Sequence, residues 1–399
     1  MEKRPHHVKT LTVSGTPRPA PGQNKIEGEK TMETELIQTT EFETKQTIDP
    51  RKAKLNDIIE RGKSSLHKAL EEIQHEFSIR EDMAVRPTAI DFLIQDHRIQ
   101  PVIRDEAYDL TDHSQGQMLT RAGIPAQFAQ KLIDLEENEL LSRNLKRLTE
   151  RMEDGGILLR RVGTTIKGWL SPAYKRMDAA PIMEAFIKRN VENGFVPYRG
   201  MNTSYRYQIA MIQPRIWEPV PNEFVIFGTS LVTGDYGNQS LEIDLLMLRI
   251  VCLNLAIGYD MFRRIHLGSR FQMGEGDEII PISQKTIKLD TDTISSAITD
   301  VVDASDNHIK LLEHKIQEAN EKEISDPKSV YDTLRKRGIR KEIVEQVKTT
   351  YDLPQEVEIL PKGNSLWRLS NAISLVAKGI EKTDEKLDLE KEAMNLLLA

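Results

Sequence analysis

The chain has 399 residues, a formal net charge of −7 and one cysteine, Cys252. That length suffices for a buried core, and a single cysteine excludes an internal disulfide and an all-cysteine zinc site. The most apolar run, Ile243–Ile257, is interrupted by Asp244, Arg249 and Asn254 and is shorter than the ~20 residues that cross a bilayer, so we expect no membrane residence. A lone thiol suits a reducing cytoplasm, where we expect the protein to be located.

The first part of the chain begins with a polar segment, and an apolar period typical of helices follows it. Residues 1–50 have no apolar period and predict a disordered leader. A long amphipathic helix is expected from an Asp-Pro pair at 49–50, followed by a short extended piece. Thr111 or the aspartate after it predicts a helix N-cap, and Gly123 predicts a left-handed helix end before a further helix. We therefore expect a helical N-terminal region over residues 51–150.

The middle of the chain has strand patterning, with branched and aromatic residues in short runs. The segment Leu241–Ala256 fits either a buried helix or a buried strand, and a second strand pair is expected around Met261–Arg270. One helix is expected at 179–193, and strands are expected at 157–162, 165–174, 195–198, 204–213 and 224–232. Strands in runs with one inserted helix predict an α+β fold, with an antiparallel central core over residues 151–285.

The end of the chain returns to helical patterning, which predicts a helical C-terminal region over residues 286–399. One helix should begin at Ser325-Asp326-Pro327 and end at Gly338. The other helices are expected at 290–323, 364–380 and 384–398. The predicted architecture is thus a central antiparallel sheet flanked by N-terminal and C-terminal helices.

Known catalytic motifs are missing from the sequence, including the Gly-rich phosphate loop, GxGxxG after a strand, HExxH and GxSxG. We therefore expect no cofactor and no ATP hydrolysis of the P-loop kind, and favour a non-enzymatic role. One enzymatic alternative stays open, because Asp235, Glu242, Asp244 and His266 could hold a divalent metal of a nuclease. Cys252 lies in an apolar run, where a thiol usually packs inertly.

The feature of the sequence that points to a function is a set of basic residues interleaved with aromatic residues. From Gly155 to Met273 there are 14 Lys+Arg and 9 Asp+Glu, a net +5 that leaves −12 for the rest of the chain. Single-strand binders use cations that follow phosphates and rings that stack on bases. The candidate nucleic-acid-binding residues are Arg160, Arg161, Lys167, Tyr174, Lys175, Arg176, Tyr198, Arg199, Tyr205, Arg206, Arg263, Arg264, His266 and Arg270.

Three stretches resemble the phage/plasmid-like protein family, a mobile-element family without an assigned activity. They are YDLTDHSQGQMLTRAGIPAQFAQKL, then GTSLVTGDYGNQSLEIDLLMLRIVCLNLAIG with RRIHLG, and SLWRLSNAISLVAKGIE. The resemblance covers roughly residues 85–395, although TGDYGNQS stands where relatives often have an Asn-Ser-Glu-x-Gly turn. The matching central positions are Asp235, Gly237, Ser240, Arg249, Cys252, Asn254, Arg264, His266 and Gly268; we expect Cys252 and Asn254 to be structural.

This resemblance implies a setting in phage or plasmid DNA metabolism, in the cytoplasm of a bacterial host cell. The strand–strand–helix–strand order is also similar, at the level of fold alone, to the core of RecT-type single-strand annealing proteins. We therefore predict binding of single-stranded DNA or RNA without ATP, for strand annealing by a homo-oligomer that acts with phage or host recombination proteins. The alternatives are an interaction protein, either a virion component or an antagonist of host defence, and the metal-dependent nuclease.

Overall fold

A computed structural model describes residues 50–152, 155–203, 205–237, 239–264, 279–281, 284–356 and 359–398. The predicted leader therefore lies outside the described residues, apart from Pro50. The helices are α1 (Pro50–Ile79), α2 (Asp112–Ala122), α3 (Ala126–Asp134), α4 (Asn138–Glu150), α5 (Ala179–Glu192), α6 (Gln284–Asp303), α7 (Ser305–Glu321), α8 (Lys328–Lys336), α9 (Lys341–Tyr351), α10 (Leu366–Lys378) and α11 (Thr383–Leu398).

The strands form three sheets, and antiparallel pairing dominates, as the α+β prediction requires. They are β1 (Arg80–Val85), β2 (Ile90–Gln95), β3 (Arg98–Ile103), β4 (Glu106–Ala107), β5 (Asp109–Leu110), β6 (Ile157–Val162), β7 (Thr165–Leu170), β8 (Val196–Asn202), β9 (Tyr207–Ile212), β10 (Trp217–Val220), β11 (Glu223–Thr233), β12 (Leu241–Arg249), β13 (Asn254–Arg264) and β14 (Ile279–Pro281).

Sheet I has the strand order β14-β1-β6-β7-β5 and is antiparallel except for the parallel pair β5 and β7. The predicted hairpin between β6 and β7 is confirmed, and Gly163 turns it with a φ of 60°. Strand β7 ends at Leu170 rather than at Tyr174. Pro172 follows closely, and proline has no amide hydrogen with which to continue the ladder.

Sheet II has the order β13-β12-β11-β9-β8, with β10 paired to β11. Every residue of β12 is buried, which resolves the helix-or-strand ambiguity in favour of a strand covered on both faces. Helix α1 lies so close to β8 that a Cβ on Gly62 would come within 2.4 Å of the Pro197 carbonyl oxygen. Helices α10 and α11 pack against β13.

The region at 51–150 was predicted to be helical apart from one short extended piece, but five strands, β1 to β5, lie within it. Strands β2 and β3 form a hairpin, and the side chains of β2 are alternately buried and exposed. Its turn residues, Asp96 and His97, both have left-handed φ angles. Two-residue hairpin turns of this kind usually contain glycine, so the sequence lacked the usual signal.

The C-terminal region is helical, as predicted, with two differences in detail. The helix expected at 290–323 is divided at Ala304 into α6 and α7, and α9 was not predicted. Helices α10 and α11 lie close to the predicted bounds. All described residues belong to one compact unit. Among them, none of the helices is both long and apolar enough to cross a bilayer.

Two apolar clusters position the site. One joins sheet I, the β2–β3 hairpin and α2 to α4, and it contains Trp169, whose ring centroid lies 6.2 Å from that of Phe92. The other joins α1 to sheet II. The polar contacts described next lie between these clusters, where the turn after β11 meets sheet I.

Candidate functional site

A cleft of about 580 Å³ runs along one side of α2, and we call it the α2 groove. Its volume falls in the range of roughly 300–1,000 Å³ that ligand sites occupy. Thr111 caps α2 by accepting a hydrogen bond from the Ser114 amide, which fixes where the helix begins. The groove is lined by Asp112, His113, Gly116, Gln117, Thr120 and Arg121 of α2, and by Trp169, Leu170, Ser171 and Gly237.

The groove forms where two of the three family-like stretches meet. His113 Nε2 lies 3.0 Å from the carbonyl oxygen of Tyr236, and Gln117 Nε2 donates to the same oxygen at 2.7 Å. The Gln117 side chain also accepts a hydrogen bond from the Trp169 amide at 2.9 Å. These contacts join α2, strand β7 and the turn that follows β11.

Gly237 closes this turn, and two features require glycine there. Its φ is 80°, in the left-handed region that L side chains rarely adopt. A Cβ would also come within 2.8 Å of both Gln117 Nε2 and Leu170 Cδ2. Any other residue would therefore strain the backbone of the turn and displace the ends of the Gln117 and Leu170 side chains, both of which line the groove.

His113, which lines the groove, belongs to an aromatic pair. The ring of His113 stacks on the ring of Tyr205, with centroids 4.7 Å apart and planes inclined by 12°. Burial lowers the pKa of His113, and the hydrogen bond to the Tyr236 carbonyl only partly opposes this. His113 is therefore neutral at pH 7 and carries its hydrogen on Nε2, since a carbonyl oxygen can only accept.

Behind the turn lies a buried group of charges that we call the Asp-Arg cluster. It consists of Arg80, Asp82, Arg160, Arg176, Asp178 and Asp235. The Arg160 side chain is 0% exposed. It donates four hydrogen bonds: two to Asp82, one to Asp178 Oδ1 at 2.6 Å and one to the Asp235 carbonyl oxygen at 2.8 Å.

Asp235 connects the cluster to the turn. Its carboxylate accepts from Arg80 at 2.5 Å and from the Ala179 amide at 2.8 Å, so it also caps the N-terminus of α5. Burial raises the pKa of Asp235, which the attraction of Arg80 does not fully offset. At Asp178 burial acts in the same direction, but Arg160 and Arg80 outweigh it and lower the pKa. Three arginines and three aspartates leave the cluster close to neutral.

A second, partly buried set of contacts holds the other side of the turn. Glu76 of α1 accepts hydrogen bonds from the hydroxyl groups of Tyr236 and Tyr207, the latter at 3.1 Å. Lys167 pairs with the same carboxylate and lies 5.5 Å from the centroid of the Tyr236 ring. The turn is thus fixed from α1, from α2 and from sheet I.

Most predicted phosphate-binding cations are held by carboxylates of the chain itself. Six of these predicted cations are neutralised by carboxylates that lie far away in sequence. These pairs are Arg160 with Asp82 and Asp178, Arg161 with Glu81, Lys167 with Glu76, Arg176 with Asp82, Arg199 with Glu390, and Arg206 with Asp384 and Asp388.

The predicted stacking tyrosines fall into different surroundings. The Tyr174 hydroxyl donates to the Asp235 carbonyl oxygen at 3.1 Å, beside the cluster. Tyr198 packs against the core under α1, and burial raises its pKa to about 12. Tyr205 stacks on the ring of the groove residue His113, and its hydroxyl donates to Asp384 at 2.8 Å.

The remaining predicted positions are only partly covered by the structure. Lys175 is half-buried, on the segment between the groove residue Ser171 and α5. The backbones of Arg263 and Arg264 end strand β13, opposite Glu242 and Leu241. Their side chains, as well as His266 and Arg270, lie outside the described residues.

The acidic residues considered for a metal site do not converge. Asp235 belongs to the Asp-Arg cluster, whereas Glu242 and Asp244 share a face of β12. The Lys391 ammonium pairs with Glu242 and lies 3.9 Å from Asp244, where a metal ion would have to bind. Within the part of the chain that the structure describes, no group of three metal-ligating side chains is present.

The third family-like stretch contacts the second one away from the groove. Asn254 is buried and donates to Asn371 Oδ1 at 2.9 Å and to Ser374 Oγ at 2.6 Å. Cys252 is buried, its thiol donates to the Ile359 carbonyl oxygen at 2.6 Å, and burial raises its pKa. Both residues are structural, as expected.

No family model, curated protein or solved structure matches the chain. The site must therefore be interpreted from its own chemistry. Sequence reasoning missed His113, Gln117 and Arg121 as groove residues. The available signal was their position in the first family-like stretch, YDLTDHSQGQMLTRAGIP.

Proposed function

We propose that the protein binds single-stranded nucleic acid without ATP and receives a base in the α2 groove. The observation that supports this most is the stacked pair His113 and Tyr205 at a groove that also contains Arg121. Bases stack on aromatic rings with about 1–3 kcal/mol each, and arginine neutralises phosphate. The site differs from the predicted one, because it is a groove between α2 and the turn whose lining residues were not among the predicted ones.

The chemistry of the groove suits a base better than a metal or a reactive intermediate. His113 is neutral, and Gln117 uses both ends of its amide to hold the backbone. Thr120 and Ser171 add hydroxyl groups that can hydrogen-bond to a base edge. Lys175 lies four residues beyond Ser171 in the sequence and is half-buried.

The biological setting is part of the same proposal. The resemblance to the phage/plasmid-like family supports a role in phage or plasmid DNA metabolism, where annealing requires charge neutralisation and base presentation but no nucleotide hydrolysis. A homo-oligomer would place several grooves along one strand, which raises the affinity for a long strand without new contacts.

The direct test is fluorescence anisotropy with a labelled single strand of about 16 nucleotides, the upper end of the site size of one single-strand-binding domain. A duplex of the same sequence is measured in parallel, from about 50 to 200 mM salt. We expect tighter binding of the single strand. His113→Ala should weaken it about tenfold, because one stacking surface is lost.

Charge is tested separately from stacking. Arg121→Ala should reduce the slope of log affinity against log salt by about 0.7, which corresponds to one phosphate contact on a single strand. Arg143→Ala is the matched control, because Arg143 is an exposed arginine of α4 and does not line the groove. Equal binding of strand and duplex, or equal effects of the Arg121 and Arg143 substitutions, would contradict the proposal.

A further inference from the structure

The corner between α3 and α4 exposes large apolar side chains beside acidic ones. Leu135 is 61% exposed, Phe128 46% and Leu140 41%. We call the segment 134–140 together with Phe128 the acidic corner. Its acids are Asp134, Glu136, Glu137 and Glu139, and every residue from 134 to 140 is exposed.

Helix geometry places two of the apolar residues on one face. Phe128 and Leu135 are seven residues apart, close to two helical turns, so their side chains project in nearly the same direction. The core-facing positions of α3 are taken by Ala129, Leu132 and Ile133. The apolar surface of Phe128 and Leu135 is therefore additional to what the core requires, and exposed apolar patches with polar rims commonly mark interaction sites.

The turn between α3 and α4 has a backbone conformation that favours glycine, but a glutamate occupies that position. Glu136 has a φ of 58°, and the amides of Glu136 and Glu137 donate to the carbonyl oxygens of Ile133 and Leu132. This is the Schellman motif, whose left-handed position is usually glycine. Three other helices of this chain end in the same motif with Gly123, Gly194 and Gly338 at that position. We therefore expect glycine to suit position 136 as well, and a glutamate with this left-handed φ is less favourable than glycine would be.

We propose that the acidic corner docks a basic amphipathic helix of a partner protein. The apolar face of such a helix would cover Phe128, Leu135 and Leu140, and its lysines or arginines would pair with the acids around them. Charge complementarity decides this choice, because the segment 134–140 contains four acids and no basic residue. Nearby, Gln130 donates to Asp134 and Arg143 to Glu139, which leaves Glu136 and Glu137 at the centre of the turn.

The probe for this surface is a synthetic Leu/Lys peptide of about 18 residues with a helical apolar period, compared with a Leu/Glu peptide of the same pattern. Binding to the full chain is measured by anisotropy across salt concentrations. We expect the Leu/Lys peptide to bind in a salt-sensitive manner. Leu135→Ser should weaken binding about tenfold, and Glu136→Gly should weaken it without loss of fold.

Matched controls separate the corner from general surface effects. Leu311→Ser removes another exposed leucine, on α7, and Glu71→Gln removes an exposed acid on α1. Equal weakening by the controls, or equal binding of the Leu/Glu peptide, would overturn the proposal. Sedimentation that shows a dimer abolished by Leu135→Ser would also overturn it, by assigning the corner to a second copy of the chain. Single-strand binding by Leu135→Ser should stay at the wild-type level, so this proposal and that for the groove fail separately.

Discussion

Replacing Arg160 with methionine tests whether the Asp-Arg cluster holds the fold together. Methionine fills much of the same volume but cannot donate the four hydrogen bonds to Asp82, Asp178 and the Asp235 carbonyl. Two aspartates would then remain buried without their main counter-charge. Removing one partner of a buried ion pair costs about 3–5 kcal/mol, because the remaining charge is desolvated and uncompensated.

That cost is a large fraction of the ordinary stability of a protein, about 5–15 kcal/mol. Arg161 provides the matched control, since it is the next residue on β6 and pairs with Glu81, whose side chain is 62% exposed. An exposed pair of this kind contributes about 0–1 kcal/mol. We therefore expect Arg161→Met to leave stability almost unchanged.

Urea unfolding followed by circular dichroism measures both variants. The midpoint should fall strongly for Arg160→Met at an unchanged slope, because a changed slope would indicate a different denatured or native state. Adding Asp82→Asn to Arg160→Met should cost less than Asp82→Asn alone, since the pair is already broken. A loss below about 1 kcal/mol for Arg160→Met, or equal losses for the two arginine variants, would refute this view of the cluster.

Four further predictions follow from the turn, the corner and the strand end. Gly237→Ala should lower the unfolding midpoint and weaken single-strand binding, because φ is left-handed and a Cβ would meet Gln117; normal values for both would contradict the account of the turn. Glu136→Gly should stabilise the chain by about 1 kcal/mol in the same urea assay, and a destabilised variant would speak against strain there. Because the pKa of His113 is lowered, its contribution to stability is complete above about pH 6.5 and is lost as the pH falls through the folded value. The difference in unfolding free energy between wild type and His113→Gln should therefore change only in that pH window. A difference that does not depend on pH would exclude the lowered pKa. Replacing Arg263 and Arg264 with Ala should weaken single-strand binding and flatten its salt dependence, and an unchanged slope would remove both from the site.

Helix ends could be predicted from the sequence where they depend on residues that are close together in the chain. Thr111 caps α2 and Gly123 ends it, as expected, because capping depends on residues three or four positions apart. The β2–β3 hairpin escaped prediction because Asp96 and His97 adopt left-handed angles without a glycine. Strand β12 was ambiguous because burial on both faces removes the alternation that identifies a strand.

The site was harder to predict because its contacts are not local. Arg160 and Asp82 are 78 positions apart, and Arg80 and Asp235 are 155 apart. A list of basic and aromatic residues cannot show which cations meet an acid inside the fold. The groove depends on the same long-range information, since α2 and the Tyr236 carbonyl are brought together only by the folded chain.

The turn at Asp235 and Tyr236 belongs to sheet II, yet its partners lie on α1, α2, sheet I and the start of α5. A movement of this turn that opens the groove would break its contacts with α1, α2, sheet I and α5 at the same time. The two sheets should consequently melt in a single cooperative transition, with calorimetric and van't Hoff enthalpies that agree. A ligand held between α2 and the turn would then raise the melting temperature of the whole described chain, including parts that it does not touch.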